Sequence, residues 1–147
     1  MARYGPDTLR DARTQCHTIR VIGSQRGRGY TDAMPRAMRI HRHGGPEVLS
    51  WDEVAAAEPG SGQVLLKHTA IGVNFIDTYH RTGLYSLVLP EVLGMEAAGV
   101  VEALGAGGES LSVGERVAYA GGPIGAYCER RVIASERLVP LPDAISD

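Results

Sequence analysis

Cysteine is scarce. Cys16 and Cys128 are the only two in 147 residues, too few for a disulfide framework or a four-thiolate zinc site, so the expected compartment is a reducing cytoplasm. Lysine is scarcer still, with Lys67 alone, and 15 Lys+Arg against 17 Asp+Glu leave a net charge of −2. No positive cluster is dense enough to follow a phosphate backbone, which argues against nucleic-acid binding. No run approaches the ~20 apolar residues of a membrane span. Met1 to Gly29 is broken throughout by Arg, Asp, Gln and Gly and lacks the apolar core of a secretion signal.

Several catalytic motifs are missing as well. A phosphate-binding loop needs Gly-Lys-Ser/Thr, and Lys67 lies inside a predicted strand. There is no G-x-S-x-G elbow to anchor acyl transfer. The nearest approach to a dinucleotide fingerprint, Gly105-Ala106-Gly107-Gly108-Glu109-Ser110, has Ser110 at the third glycine place and no helical pattern behind it, so it predicts a hairpin turn.

What is present is globular in proportion: 44% apolar and 22% charged residues, with 19 glycines and only 5% aromatics. The length suits one domain. Residues 1–33 carry six arginines against three aspartates, and the remainder nine basic against fourteen acidic residues, so the composition changes at that boundary. Met34 and Met38 sit there. Three readings stay open for 1–33: a start assigned too far upstream, an Arg-rich targeting peptide, or a solvated, disordered tail.

From Met38 onward the period is two. Strands are predicted at Ala37 to His41, Val48 to Val54, Val64 to Val73, Ala97 to Leu104, Arg116 to Ala120 and Ile124 to Ile133, divided by Gly44-Gly45-Pro46 and Pro59-Gly60-Ser61-Gly62. Asn74 to Gly83 predicts a short helix, with Asn74 as cap and Gly83 as terminator. Leu138 to Pro142 is extended and proline-restricted. Six or seven short strands and one helical turn predict a mainly β, barrel-like domain. His41 and His43, two apart on a predicted strand without a nearby acid or thiol, read as a solvated face. His68 and His80 have no partner that spacing supplies, and His17 beside Cys16 belongs to the first 33 residues.

Four blocks in order, HGGPEVLSWDEV (His43 to Val54), AIGVNFIDTYHRTGLY (Ala70 to Tyr85), LGMEAAGVVEALGAG (Leu93 to Gly107) and GERVAY (Gly114 to Tyr119), closely resemble the start of the NADPH-dependent quinone oxidoreductases of the medium-chain dehydrogenase/reductase superfamily. The resemblance covers residues 37–147. It implies a GroES-like catalytic domain, a partly open β-barrel with one short helix, ending before the Rossmann domain that holds the coenzyme's pyrophosphate. Alone, such a piece is expected to be inactive. The other class of function left open is a non-catalytic GroES-like β-domain acting as an interaction module.

The resemblance also bears on metal. In zinc-dependent members of the superfamily a ligating Cys stands at the place of Asn74 and a ligating His at the place of Met95. An amide and a thioether cannot replace those two, so no metal is expected. Reduction then depends on hydride from a nicotinamide and on hydrogen-bond donors for the acceptor oxygen. The expected donors are the phenol hydroxyls of Tyr79 and Tyr85 and the Asn74 amide. By resemblance Asn74, Phe75, Ile76, Asp77, Thr78 and Tyr79 line the nicotinamide side of NADPH, with Tyr79 and Tyr85 at the cleft for a quinone or enone; the full-length enzymes are commonly homodimers. Plainer roles stand beside these: Asn74 as a helix cap, Asp77 as a local acceptor, Tyr85 as a rim aromatic on Leu84 and Leu87, Phe75 and Ile76 as wall and core. Glu96 and Arg116 resemble framework positions.

Overall fold

The computed structural model describes residues 34–55, 57–108 and 110–145. The three readings of 1–33, with Cys16 and His17, lie outside the described residues.

Two antiparallel sheets make up the fold. The first has three strands in the order β2-β1-β4, where β1 is Arg36–Ile40, β2 Leu49–Glu53 and β4 Glu91–Val92. The second has five, β7-β3-β5-β6-β8, built from β3 (Gln63–Ile71), β5 (Ala97–Leu104), β6 (Arg116–Tyr119), β7 (Arg130–Ala134) and β8 (Val139–Pro140). One α-helix, α1 (Phe75–Thr82), follows β3. The sheets do not close into a continuous barrel. Residues 126–129 stitch them together: Met38 N–H donates to the Tyr127 carbonyl at 2.7 Å, and His68 N–H to the Glu129 carbonyl at 3.0 Å.

Alternation along the strands explains the core. In β5 the inward set is Ala97, Gly99 and Val101, and beside it on the same sheet β3 buries Val64 and Leu66. Val117, Ile133, Leu111 and Leu138 complete this cluster, while Ile40, Val48 and Leu93 form a smaller one under the first sheet. Each fully buried Leu or Val contributes roughly 1.5–3 kcal/mol. Gly99 is required by close approach: a Cβ there would lie 2.2 Å from the Lys67 carbonyl oxygen of the neighbouring strand.

Several predicted boundaries need correction. β1 runs Arg36–Ile40 rather than to His41, and Val48 belongs to a 3-10 turn, Pro46–Val48, instead of opening β2. β3 stops at Ile71, two residues short of the predicted Val73. The predicted strand from Ile124 to Ile133 is mostly a connection: Gly125 takes φ +124° and regular pairing begins only at Arg130. The two-residue β4 is too short to leave a period-two signal. The glycine-rich segment after β5 is a turn, as expected, packed on the Pro59 to Gly62 turn, with Gly62 N–H donating to the Ala106 carbonyl at 2.6 Å.

The histidine pair also reads differently. β1 ends before His41, and the β1–β2 hairpin brings Asp52 to it, with His41 Nε2 and Asp52 Oδ2 2.6 Å apart. The imidazole hydrogen bond holds the half-buried Asp52 carboxyl below its usual range. His43 turns instead to α1, where its ring covers Gly83.

Candidate active site

Local chemistry winds α1 where it does. Asn74, with extended backbone, is the N-cap, and Asp77 three residues on returns a hydrogen bond: its Oδ2 accepts from Asn74 N–H at 2.9 Å, while Asp77 N–H donates to the Asn74 carbonyl at 3.0 Å. Gly83 ends the helix with φ +84°, a left-handed turn that glycine adopts without a Cβ clash. The chain then folds back, and Tyr85 N–H donates to the Tyr79 carbonyl at 3.2 Å.

This geometry sorts the predicted site residues by face. Phe75 and Tyr79, four apart, lie on one side with ring centroids 5.2 Å apart and planes at 87°. The turn at Gly83 brings the Tyr85 ring edge-on to Tyr79 at 5.4 Å, and His80 lies 6.0 Å from Tyr85. The result is an outward aromatic row: Phe75 is 73% exposed and Tyr85 50%. Phe75 therefore lies on the surface and not in the core. Tyr85 packs on the Tyr79 and His80 rings. Ile76 is half-buried, and Thr78 spends its hydroxyl on the Phe75 carbonyl at 2.6 Å.

Asp77 points the other way and is only 5% exposed. Its Oδ2 takes a second hydrogen bond, 2.7 Å, from the Tyr127 hydroxyl. Its Oδ1 and the amide nitrogen of Asn74 are buried without a protein partner. Those two orphaned atoms flank the start of α1, and buried polar atoms of this kind call for a ligand or water.

The strand register places a second segment beside Asn74. Ile71 of β3 pairs with Ala97 of β5, and Gly72 N–H donates to the Glu96 carbonyl at 3.2 Å, so Asn74 and Met95 leave the same end of the sheet. Glu96 lies over Gly72, and Arg116 ties the Ile145 carbonyl at 2.7 Å. Among the described residues no three His, Cys, Asp or Glu side chains gather as metal ligands would.

A second polar cluster was invisible in the sequence. His68 Nδ1 lies 2.7 Å from the Cys128 carbonyl, so Nδ1 donates and Nε2 is left to accept from the Tyr119 hydroxyl at 3.1 Å. Arg131 donates to that hydroxyl at 3.1 Å and to the Pro123 and Ile124 carbonyls. Burial lowers the His68 pKa, and it pushes the Cys128 thiol up to about 11. A half-open cavity of about 250 Å3 lies alongside, lined by Trp51, His68, Ile71, Cys128 and Glu129 and by none of the aromatic row.

Residues 60–143 match the family of the alcohol dehydrogenase GroES-like domain. The chain belongs to that family. Within it the chain is 51% identical over 113 residues to a quinone oxidoreductase of Pseudomonas aeruginosa, covering 76% of this chain and 35% of that one. It is 49% identical to a 2-haloacrylate reductase of a Burkholderia species, covering 74% and 34%. Among solved structures, the Escherichia coli quinone oxidoreductase complexed with NADPH superposes with a TM-score of 0.73 at 44% identity, covering 76% of this chain and 34% of that one. The GroES-like chain thus spans about a third of the length of the relatives it matches. Among its described residues no helix is long and apolar enough to cross a membrane.

Proposed function

We propose that this GroES-like chain supplies the acceptor side of a zinc-independent NADPH:quinone oxidoreductase that transfers hydride to a quinone or related enone. The observation that carries the reading is the row of exposed Phe75, half-buried Tyr79 and exposed Tyr85 beside Asn74, whose amide nitrogen is buried and unpartnered. NADPH supplies the hydride when bound. Asn74 and the outward residues of α1's first turns, Phe75, Thr78 and Tyr79, border the nicotinamide. Ile76 backs them, and Asp77 fixes the turn from beneath. The Tyr79 and Tyr85 hydroxyls and the Asn74 amide donate to the acceptor oxygen as it gains negative charge. A quinone spreads that charge over a conjugated ring, so neutral donors suffice; one hydride and one proton yield the hydroquinone. The donor set does not fit zinc, because an amide at 74 and a thioether at 95 are poor ligands for it.

The activity is assigned to the whole enzyme, in which a nucleotide-binding lobe holds the pyrophosphate; residues 34–145 alone are expected to be inactive. A cytoplasmic setting suits the buried thiol of Cys128. A second reading, a non-catalytic interaction module, is favoured by Val73, Leu84 and Val88, which are 83%, 67% and 89% exposed.

One experiment separates the two. In the whole enzyme, Tyr79→Phe and Tyr85→Phe should each lower kcat with a benzoquinone by about tenfold or more, with the NADPH KM within about twofold, as expected for donors that act in the transition state. Full turnover in both variants would remove the phenols from the chemistry. Absence of any quinone turnover in the wild type, with a protein partner bound instead, would favour the module. One zinc per chain in the active enzyme would contradict the metal-free assignment.

A further inference from the structure

Tyr127 links the start of α1 to the 93–95 segment. Its hydroxyl donates to Asp77 Oδ2 at 2.7 Å, the same oxygen that accepts from Asn74 N–H at 2.9 Å. Its backbone N–H donates to the Leu93 carbonyl at 2.8 Å, and its ring lies so close to Gly94 that a Cβ on that residue would sit 2.3 Å from Cδ1. Gly125 and Ala126 N–H groups both donate to the Gly94 carbonyl, at 2.9 and 3.1 Å. One tyrosine therefore spans from the 93–95 segment, which carries Met95, to the carboxylate that orients Asn74. Burial, and then the Asp77 carboxylate, push the phenol's pKa upward, so the hydroxyl stays a donor throughout the physiological range.

We propose that Tyr127 is a positioning residue: through Asp77, which accepts from the Asn74 backbone N–H, it fixes the backbone from which the Asn74 side chain projects relative to the 93–95 segment. The proposal rests on the reading of Asn74 as a donor in quinone reduction, and it predicts a defined hierarchy. A hydroxyl that holds the carboxylate from below acts on Asn74, at the first turn. Gly83, at the far end of α1, is held by its own bonds to Tyr79 and His80 and should not respond.

The test is amide hydrogen exchange on the full 147-residue chain, followed by NMR, with Tyr127→Phe and Asp77→Asn. Both variants should speed exchange at Asn74 N–H by about tenfold, the scale of one charge-assisted hydrogen bond, while Gly83 and the β3 amides exchange as in the wild type. The pair keeps the result readable: Tyr127→Phe removes the donor hydroxyl and keeps the ring, and if that variant does not fold, Asp77→Asn removes the charge on the acceptor side of the same hydrogen bond. In the whole enzyme Tyr127→Phe should lower kcat with a benzoquinone and leave the NADPH KM within about twofold. Unchanged exchange at Asn74 would overturn the proposal, and so would a uniform rise over α1 and the sheets, which would make Tyr127 a general structural residue. Full turnover in Asn74→Ala would defeat the underlying reading instead, leaving the exchange result standing.

Discussion

Replacing Gly94 by alanine should destabilise the protein far more than the size of a methyl group suggests. Two costs add. Gly94 has φ +94°, where an L side chain is strained by about 1–3 kcal/mol. Its Cβ would also lie 2.3 and 2.8 Å from Tyr127 Cδ1 and Cε1 and 3.0 Å from the Ala126 Cβ. Relieving that overlap means moving a ring held at both ends, by Asp77 and by the Leu93 carbonyl, and overpacking of this kind costs about 1–3 kcal/mol. Together about 2–6 kcal/mol is lost from a domain whose total stability is of order 5–15 kcal/mol. Gly114 provides the internal control: its φ is +91°, and nothing lies within 4 Å of where a Cβ would stand. Gly114→Ala therefore bears the backbone cost alone. Urea unfolding of the two variants isolates the packing part as the difference between their midpoints. A Gly94→Ala midpoint no lower than that of Gly114→Ala would refute the claim that Tyr127 is wedged against this backbone.

Two further outcomes follow from the buried polar cluster. Burial lowers the His68 pKa, so below the unfolded value near ~6.5 the unfolded chain binds a proton that the native protein refuses; stability is full above that pH and falls as pH drops toward the depressed native value. The urea midpoint should decline between pH 7.5 and 5, and His68→Asn should decline less; equal declines would show that His68 is not the group responsible. The Cys128 thiol, pushed up to about 11 and buried, should resist iodoacetamide at pH 8 in the native protein and label readily in urea, as read by mass spectrometry of its peptide. Rapid native labelling at Cys128 would contradict its placement.

Features whose cause lies within a few residues were legible in the sequence. Asn74 and Gly83 bracket α1 because capping depends on neighbours three and four residues away, and β5 was readable to the residue because Ala97, Gly99 and Val101 alternate into one core. The aromatic row needed the resemblance for its role, but the i, i+4 spacing of Phe75 and Tyr79 already put them on one face. What escaped depends on distant pairings. Tyr127 meets Asp77 across 50 residues, His41 meets Asp52 from the far side of a hairpin, and His68, Tyr119 and Arg131 converge from three strands. No periodicity records such meetings. The overlong strand from Ile124 had apolar residues at suitable intervals, yet Gly125 and the bonds to Gly94 bend the chain across to the first sheet before β7 starts.

The central claim is that hydrogen bonds from Tyr79, Tyr85 and Asn74, with no metal, hold the acceptor during reduction. A single-turnover measurement on the whole enzyme addresses it directly: with NADPH prebound and a benzoquinone mixed in, the Tyr79→Phe/Tyr85→Phe variant should oxidise NADPH at least about a hundredfold more slowly than the wild type, in the presence of a strong chelator, with NADPH affinity retained. Equal rates for the two, or a wild-type rate abolished by the chelator and restored by zinc, would contradict the account.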